Sequence, residues 1–190
     1  LGVASGYLKS EFASLGVDFD RRNDLIDEAL DVMKRVWTED DVAFDGLTFR
    51  SRGTTMRPRP VQQPHPPVWI GGNSAAAMRR AVEKAQGWVP FPNPGGAAMR
   101  AVRTPEMSTF EHLARALDHM RDYAAEVGRT EPIDVCFSPF ASRPTVDDVK
   151  QLEDVGVTWC VLGARKATTR AEYLDEIRRQ GDEVIGPYRG

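Results

Sequence analysis

Short, continuous apolar runs alternate with amphipathic stretches along almost the whole chain, and this alternation constrains the fold more than any other feature. The runs are Val68-Trp69-Ile70, Trp88-Val89-Pro90-Phe91, Ile133-Asp134-Val135-Cys136-Phe137 and Thr158-Trp159-Cys160-Val161-Leu162. A fifth, Leu1-Gly2-Val3-Ala4-Ser5-Gly6, reads as the end of a buried strand entering a glycine turn. Strands with such unbroken apolar character belong in a parallel sheet covered by helices. Between them, apolar side chains recur at helical spacing: Leu25, Ile26, Ala29, Leu30, Met33 and Val36; Ala77, Met78, Ala81, Val82 and Ala85; Phe110, Leu113, Leu117, Met120 and Ala124. Asn23 or Asp24, Ser74, Thr145 with Asp148, and Thr169 with Glu172 are placed to cap helices. Gly87, Gly128 and Gly156 are placed to stop them.

Five strand–helix units fit two architectures. One is an open, doubly wound sheet; the other is five-eighths of a (β/α)8 barrel, which takes about 250 residues in full. The chain has 190 residues and opens at Leu1, inside a strand motif, so further sequence is expected upstream of it, and five units would be consistent with part of such a barrel. The whole of 1–190 reads as one domain with a hairpin excursion near 41–50, where apolar alternation flanks Asp45-Gly46 and predicts a two-residue turn. Pro58, Pro60, Pro64, Pro66 and Pro67 impose an extended approach to the Val68 strand.

Composition removes several classes of function. With 25 Lys and Arg against 28 Asp and Glu, the net charge is −3, which gives no general attraction to nucleic acid or to an anionic membrane surface. The apolar runs are too short to span a bilayer, and no secretory leader is visible. Cys136 and Cys160 lie in strand-like apolar surroundings and are expected as buried reduced thiols. The cytoplasm is the expected location.

Two segments can carry chemistry. Ala4-Ser5-Gly6-Tyr7 lies at the carboxyl end of the opening strand, and Gly71-Gly72-Asn73-Ser74 at the carboxyl end of the next, where it opens a helix. Ligands of parallel α/β folds bind at that edge. Glycine lets backbone N–H groups approach a phosphate, and a helix N-terminus favours anions. Either segment can equally be an ordinary turn. No dinucleotide fingerprint, Walker loop, zinc-protease motif or nucleophile elbow is present. His112 and His119 are seven residues apart and are expected to face solvent, and two imidazoles make a poor metal site. No metal is expected, and no residue stands out as nucleophile or base, so the catalytic residues stay unassigned. An enzyme built this way relies on a cofactor for its chemistry.

Leu1-Gly2-Val3-Ala4-Ser5-Gly6-Tyr7-Leu8-Lys9-Ser10-Glu11-Phe12 with Leu15-Gly16-Val17, and the stretch R-P-R-P-V-Q-Q-P-H-P-P-V-W-I-G-G-N-S from Arg57 to Ser74, resemble the luciferase-like monooxygenase superfamily. Together with Arg103-Thr104-Pro105 and Val127-Gly128-Arg129, they are similar to its deazaflavin (coenzyme F420)-dependent oxidoreductase branch. The resemblance implies a TIM barrel of the bacterial luciferase-like type with its first three strands outside this sequence. It also implies a cofactor in the barrel mouth, coenzyme F420 or alternatively FMN. The cofactor contacts it implies are Ala4, Ser5, Gly6 and Tyr7, where relatives usually carry Gly-Ala-Gly-Trp, together with Gly71, Gly72 and Asn73 of the second glycine turn. The implied activity is transfer of hydride equivalents between reduced cofactor and a small organic substrate. An FMN-dependent monooxygenase and a non-catalytic cofactor-binding paralogue are the alternatives. A homodimer is expected for the full-length protein, and little activity for this piece alone. Substrate choice is expected to rest on the hairpin at Val42–Phe49 and the loop from Pro92 to Thr109, both taken as loops of the barrel mouth.

Overall fold

In the computed structural model, residues 1–97, 104–164 and 166–189 are described. Along the chain come β1 (Gly2–Val3), α1 (Lys9–Ser14), α2 (Arg22–Thr38), the hairpin β2 (Val42–Asp45) and β3 (Arg50–Thr54), then β4 (Trp69–Gly71), α3 (Ala75–Lys84) and β5 (Gly87–Val89). They are followed by α4 (Phe110–Glu126), β6 (Asp134–Phe137), α5 (Val146–Val155), β7 (Trp159–Cys160), α6 (Arg170–Gln180) and α7 (Gly186–Arg189). All five expected strands join one sheet in the order β1-β4-β5-β6-β7, every neighbour parallel.

That order decides between the two architectures. A doubly wound sheet reverses direction at a switch point. Here each unit steps to the same side as the last, which is the winding of a barrel. The sheet also curls. Trp69 on β4 and Trp159 on β7 are three strands apart, about 14 Å in a flat sheet, yet their ring centroids lie 5.7 Å apart. The fold is α/β, of the TIM-barrel kind, with five strands in barrel order.

The two faces of the sheet follow from strand alternation. Ile70, Trp88, Val135 and Phe137 point to the helices and are almost completely buried. They pack with Leu30 of α2, Ala77 and Ala81 of α3, Leu113, Leu117 and Met120 of α4 and Leu152 of α5. Trp69 and Gly87 lie on the other, concave face. A Cβ at Gly87 would come within 2.6 Å of Cγ of Trp69, so the missing side chain leaves the space the indole fills. Gly87 therefore serves the sheet. It does not stop α3, as the sequence suggested; that helix ends at Lys84 with Ala85 as its C-cap.

Local signals set most helix ends. Ser74 accepts from Ala77 N at 3.2 Å. Thr145 with Asp148 and Thr169 with Glu172 form complete capping boxes, and Gly156 closes α5 in the left-handed region at φ +110°. The start of α2 differs. Neither Asn23 nor Asp24 caps it. Asp18 accepts from Asp20 N and turns the chain through a 3-10 segment, Phe19–Arg21, directly into the helix. At the far end, Tyr173, Leu174 and Ile177 of α6 stay substantially exposed, and the core contact is made instead by Val184 in the π-turn Gly181–Ile185.

The hairpin also departs from expectation. Its second strand is Arg50–Thr54, so the turn spans Gly46–Phe49 instead of two residues. Glu28 of α2 holds it. The Glu28 carboxylate accepts from Leu47 N at 2.9 Å, Thr48 N at 3.0 Å and Phe49 N at 2.8 Å. Burial pushes its pKa up, but these three backbone donors outweigh it, and the net shift is downward. The hairpin springs from the carboxyl end of α2 and leads back to the start of β4, so it belongs to the amino-terminal edge of the sheet and lies along α2. It is not a loop of the mouth. Glu28→Ala should therefore release the tip while the sheet stays folded. Hydrogen exchange at Leu47, Thr48 and Phe49 should rise at least tenfold, with amides of β5 unchanged; unchanged exchange at the tip would show that another contact holds it.

Candidate functional site

The carboxyl edge of the sheet brings the two glycine turns together. Val3 pairs with Ile70, so Ala4 sits beside Gly71 on the concave face. A Cβ on Gly71 would lie 3.4 Å from the Ala4 Cβ and 3.7 Å from the Val3 carbonyl oxygen. Gly71 thus leaves backbone bare where two strands converge. The next residue, Gly72, has φ +124°, a conformation that side chains rarely adopt. Its N–H donates to Val89 O at 3.1 Å, and its carbonyl accepts from the Trp88 indole at 2.8 Å. The second turn is thereby held from β5 by backbone and side chain alike.

In the first turn, Gly6 has φ +76°, and a Cβ there would meet Cε2 of Phe12 at 2.8 Å. Glycine is required twice over, by conformation and by the ring folded against it. Phe12 is locked in turn by an edge-to-face contact with Phe19, centroids 5.3 Å apart. Among the described residues, the amides of Ser5, Gly6 and Tyr7 donate to no protein group. Free N–H groups on a glycine turn are the donor set that a phosphate needs. Across the edge, the first turn of α3 adds the N–H groups of Ala75 and Ala76, which have no intrahelical acceptor.

Asn73 has a different part. It is 3% exposed. Its side-chain amide donates to Phe91 O at 2.9 Å and to Pro105 O at 3.4 Å, and its Oδ1 accepts from Phe91 N at 3.0 Å. The Asn73 side chain is spent on clamping the segment after β5 to the second turn, which leaves its backbone as the part able to face a ligand. Asn93, 1% exposed, repeats the device, donating to Pro105 O at 2.7 Å and accepting from Gly95 N at 3.0 Å. Of the expected substrate loop from Pro92 to Thr109, residues 98–103 lie outside the described residues, as does Arg103 of the Arg103-Thr104-Pro105 motif.

The clamped loop carries a cluster that sequence reading missed. Ser108 Oγ donates to Glu106 at 2.5 Å, and His112 Nδ1 accepts from Ser108 N at 3.2 Å. His112 is half-buried, against the expectation of a solvent-facing ring; His119 is exposed as expected. An Nδ1 that accepts from a backbone amide leaves the neutral ring's proton on Nε2. The only advance signal was the i, i+4 spacing of Ser108 and His112 across a helix start.

The two cysteines are free. Cys136 is buried and Cys160 half-buried, and burial pushes both thiols up, Cys160 to about 11, which disfavours the thiolate. His65 lies against Trp37 in the proline-rich approach, its ring tilted by 41°. Among the described residues, no helix is long and apolar enough to cross a membrane.

A singly wound parallel sheet whose carboxyl edge gathers two glycine turns and a helix N-terminus defines an α/β fold of the TIM-barrel class. The chain belongs to the luciferase-like monooxygenase family, whose model matches residues 1–183. Members of that family are oxidoreductases and monooxygenases. An uncharacterised protein of Mycobacterium tuberculosis is 31% identical over 165 residues, which is 87% of this chain and 51% of that protein. The FMNH2-dependent dimethylsulfone monooxygenase of Pseudomonas putida is 36% identical over 84 residues, 43% of this chain and 23% of that enzyme. Among solved structures, the coenzyme F420-dependent tetrahydromethanopterin reductase of Methanopyrus kandleri superposes with a TM-score of 0.69 at 15% identity, covering 98% of this chain and 73% of that one. The chain spans about half the length of the curated relatives it matches over most of its own length.

Proposed function

We propose that this chain forms the phosphate side of the cofactor site of a luciferase-like oxidoreductase acting on a small organic molecule. The observation that carries the reading is the junction of two glycine turns at one sheet edge, with unclaimed amides at Ser5, Gly6 and Tyr7. A reduced deazaflavin or flavin supplies hydride equivalents when bound. The chain's own residues bind and orient it. The backbone of Ala4, Ser5, Gly6 and Tyr7 holds a phosphate oxyanion through N–H donors. Gly71 and Gly72 allow it to approach the strand ends closely, and the α3 N-terminus adds favourable potential. Asn73 positions the second turn and contributes backbone only. Coenzyme F420 is the favoured cofactor, because the motifs at Leu1–Phe12 and Arg57–Ser74 are similar to the F420-dependent branch and the Methanopyrus reductase shares the fold. FMN is the second reading, supported by the Pseudomonas monooxygenase. A homodimer of the longer protein is proposed on family grounds alone.

Fluorescence titration with coenzyme F420, FMN and riboflavin tests this reading. F420 or FMN should bind, and riboflavin, which lacks the phosphate, should bind at least tenfold more weakly. Gly72→Val should weaken the phosphate-bearing ligand at least tenfold, since the side chain strains φ +124° by about 1–3 kcal/mol and distorts the turn. Failure of both cofactors to bind ends the proposal.

A further inference from the structure

A second cavity opens on the same side of the sheet, away from the glycine turns. It has a volume of about 390 Å³ and lies between the loop after β6, the loop after β7 and helix α6. The two loops are pinned by half-buried Arg179 and buried Gln180. Arg179 donates to Pro144 O at 3.5 Å, and Gln180 donates to Gly163 O at 3.3 Å. Both loops are therefore tied to one helix, immediately before its π-turn, a device often found at functional sites.

The charges around this cavity are not equally committed. Glu172 accepts from Thr168 N at 2.7 Å and Thr169 N at 3.1 Å in its capping role. Asp175 is paired with Arg178 at 3.0 Å. Glu176 is paired with Arg179 at 2.6 Å and accepts from Gln180 at 3.0 Å, and these bonds, with the more distant charge of Arg143, hold its carboxyl down at about 2. Arg179 is taken by Glu176 and Glu183. What is left on the walls is Arg143, Lys166 and the Ser142 hydroxyl. Among the described residues, neither cation has an ion-pair partner within 4.0 Å.

We infer that this cavity is a second anion site, in which Arg143 and Lys166, with Ser142 as hydroxyl donor, take a carboxylate or phosphate group of a small molecule. A planar guanidinium matches either oxyanion with two parallel donors, and the ammonium adds a point charge. The three wall carboxylates stay ionised, but Arg143, Lys166 and Arg179 balance them, so the wall carries no net negative charge and an anion is recognised locally by the two cations without an ion-pair partner among the described residues. The site is built on different loops from the cofactor turns and shares no residue with them. The inference does not depend on which cofactor binds at Ala4–Tyr7.

Titration of the chain with succinate and, separately, with inorganic phosphate at constant ionic strength tests the site. The readout is the amide shift of Ser142, Arg143 and Lys166 in proton–nitrogen NMR spectra. A saturable shift at these residues is expected with at least one of the two anions. A response to succinate alone assigns an acidic substrate; a response to phosphate alone assigns a phosphorylated ligand. The double variant Arg143→Gln, Lys166→Gln should weaken binding at least fivefold with an unchanged melting temperature, because both side chains are exposed. Gly72→Val should leave this binding intact, which separates it from the cofactor turn. No saturable shift with either anion, or equal binding by the double variant, overturns the inference.

Discussion

Arg80→Met is expected to destabilise the protein by about 3 kcal/mol, the low end of the cost of breaking a buried ion pair. Arg80 is 1% exposed although it is charged. Its Nε donates to Asp27 Oδ1 at 2.7 Å, and its terminal nitrogen donates to Asp27 Oδ2 at 3.1 Å. The pair joins α3 to α2, with Arg80 buried and Asp27 half-buried. Methionine keeps the aliphatic volume and removes the charge, so the loss reports the pair, with the two 3.4 Å bonds of Arg80 to Asn23, and not a cavity. Arg79 remains 3.0 Å from Asp27, which is why the low end applies. The midpoint of urea unfolding measures the effect.

The same pair carries a pH signature. Burial pushes the Asp27 pKa up, but the Arg80 hydrogen bond and the charges of Arg80, Arg79 and Lys84 outweigh it, and the folded value falls below 3.8. A carboxyl with a depressed folded pKa stabilises above its unfolded value and loses that contribution as pH falls through the folded one. The gap between native protein and Arg80→Met should therefore be full at neutral pH and narrow below about pH 4. A gap under 1 kcal/mol at neutral pH would show that solvent screens the pair.

Gly87→Val should cost a similar amount, about 3 kcal/mol, at the top of the range for overpacking. Valine suits strands in general, so propensity alone predicts the opposite sign. The steric effect wins because the new Cβ meets Nε1 of Trp69 at 2.5 Å and Cγ at 2.6 Å. The indole is held against Trp159 on one side, and Trp88, fully buried on the opposite face, keeps β5 from sliding away. Trp69→Leu in the same chain should restore much of the loss, and a double-mutant cycle measures the coupling. A neutral Gly87→Val would mean that Trp69 has a second place to go.

Much of this protein was legible because its signals are local. Ser74, Thr145 with Asp148, Thr169 with Glu172 and Gly156 act within four residues of themselves, so their partners are written beside them. The five apolar runs were equally plain, though pairing trimmed the last from Thr158–Leu162 to Trp159–Cys160. The glycine turns could be named as candidates for the same reason. That they meet, with Ala4 beside Gly71, is a matter of register between strands 67 residues apart.

What stayed hidden acts over distance. Arg129, seen in the sequence only as part of a motif, donates to the carbonyls of Val82 at 2.6 Å and Ala85 at 2.8 Å and closes α3 from 44 to 47 residues away. Glu28 reaches a hairpin tip about 20 residues on, and nothing in the tip's own sequence announces it. The chain by itself determined which segments become strands and helices and where most helices begin, since hydrophobic period and capping chemistry are short-range. Only the tertiary structure decided the winding of the sheet, the face on which each glycine opens space, and which cations remain uncommitted. Those depend on which groups are brought within a few ångströms across the fold, and no local pattern encodes that.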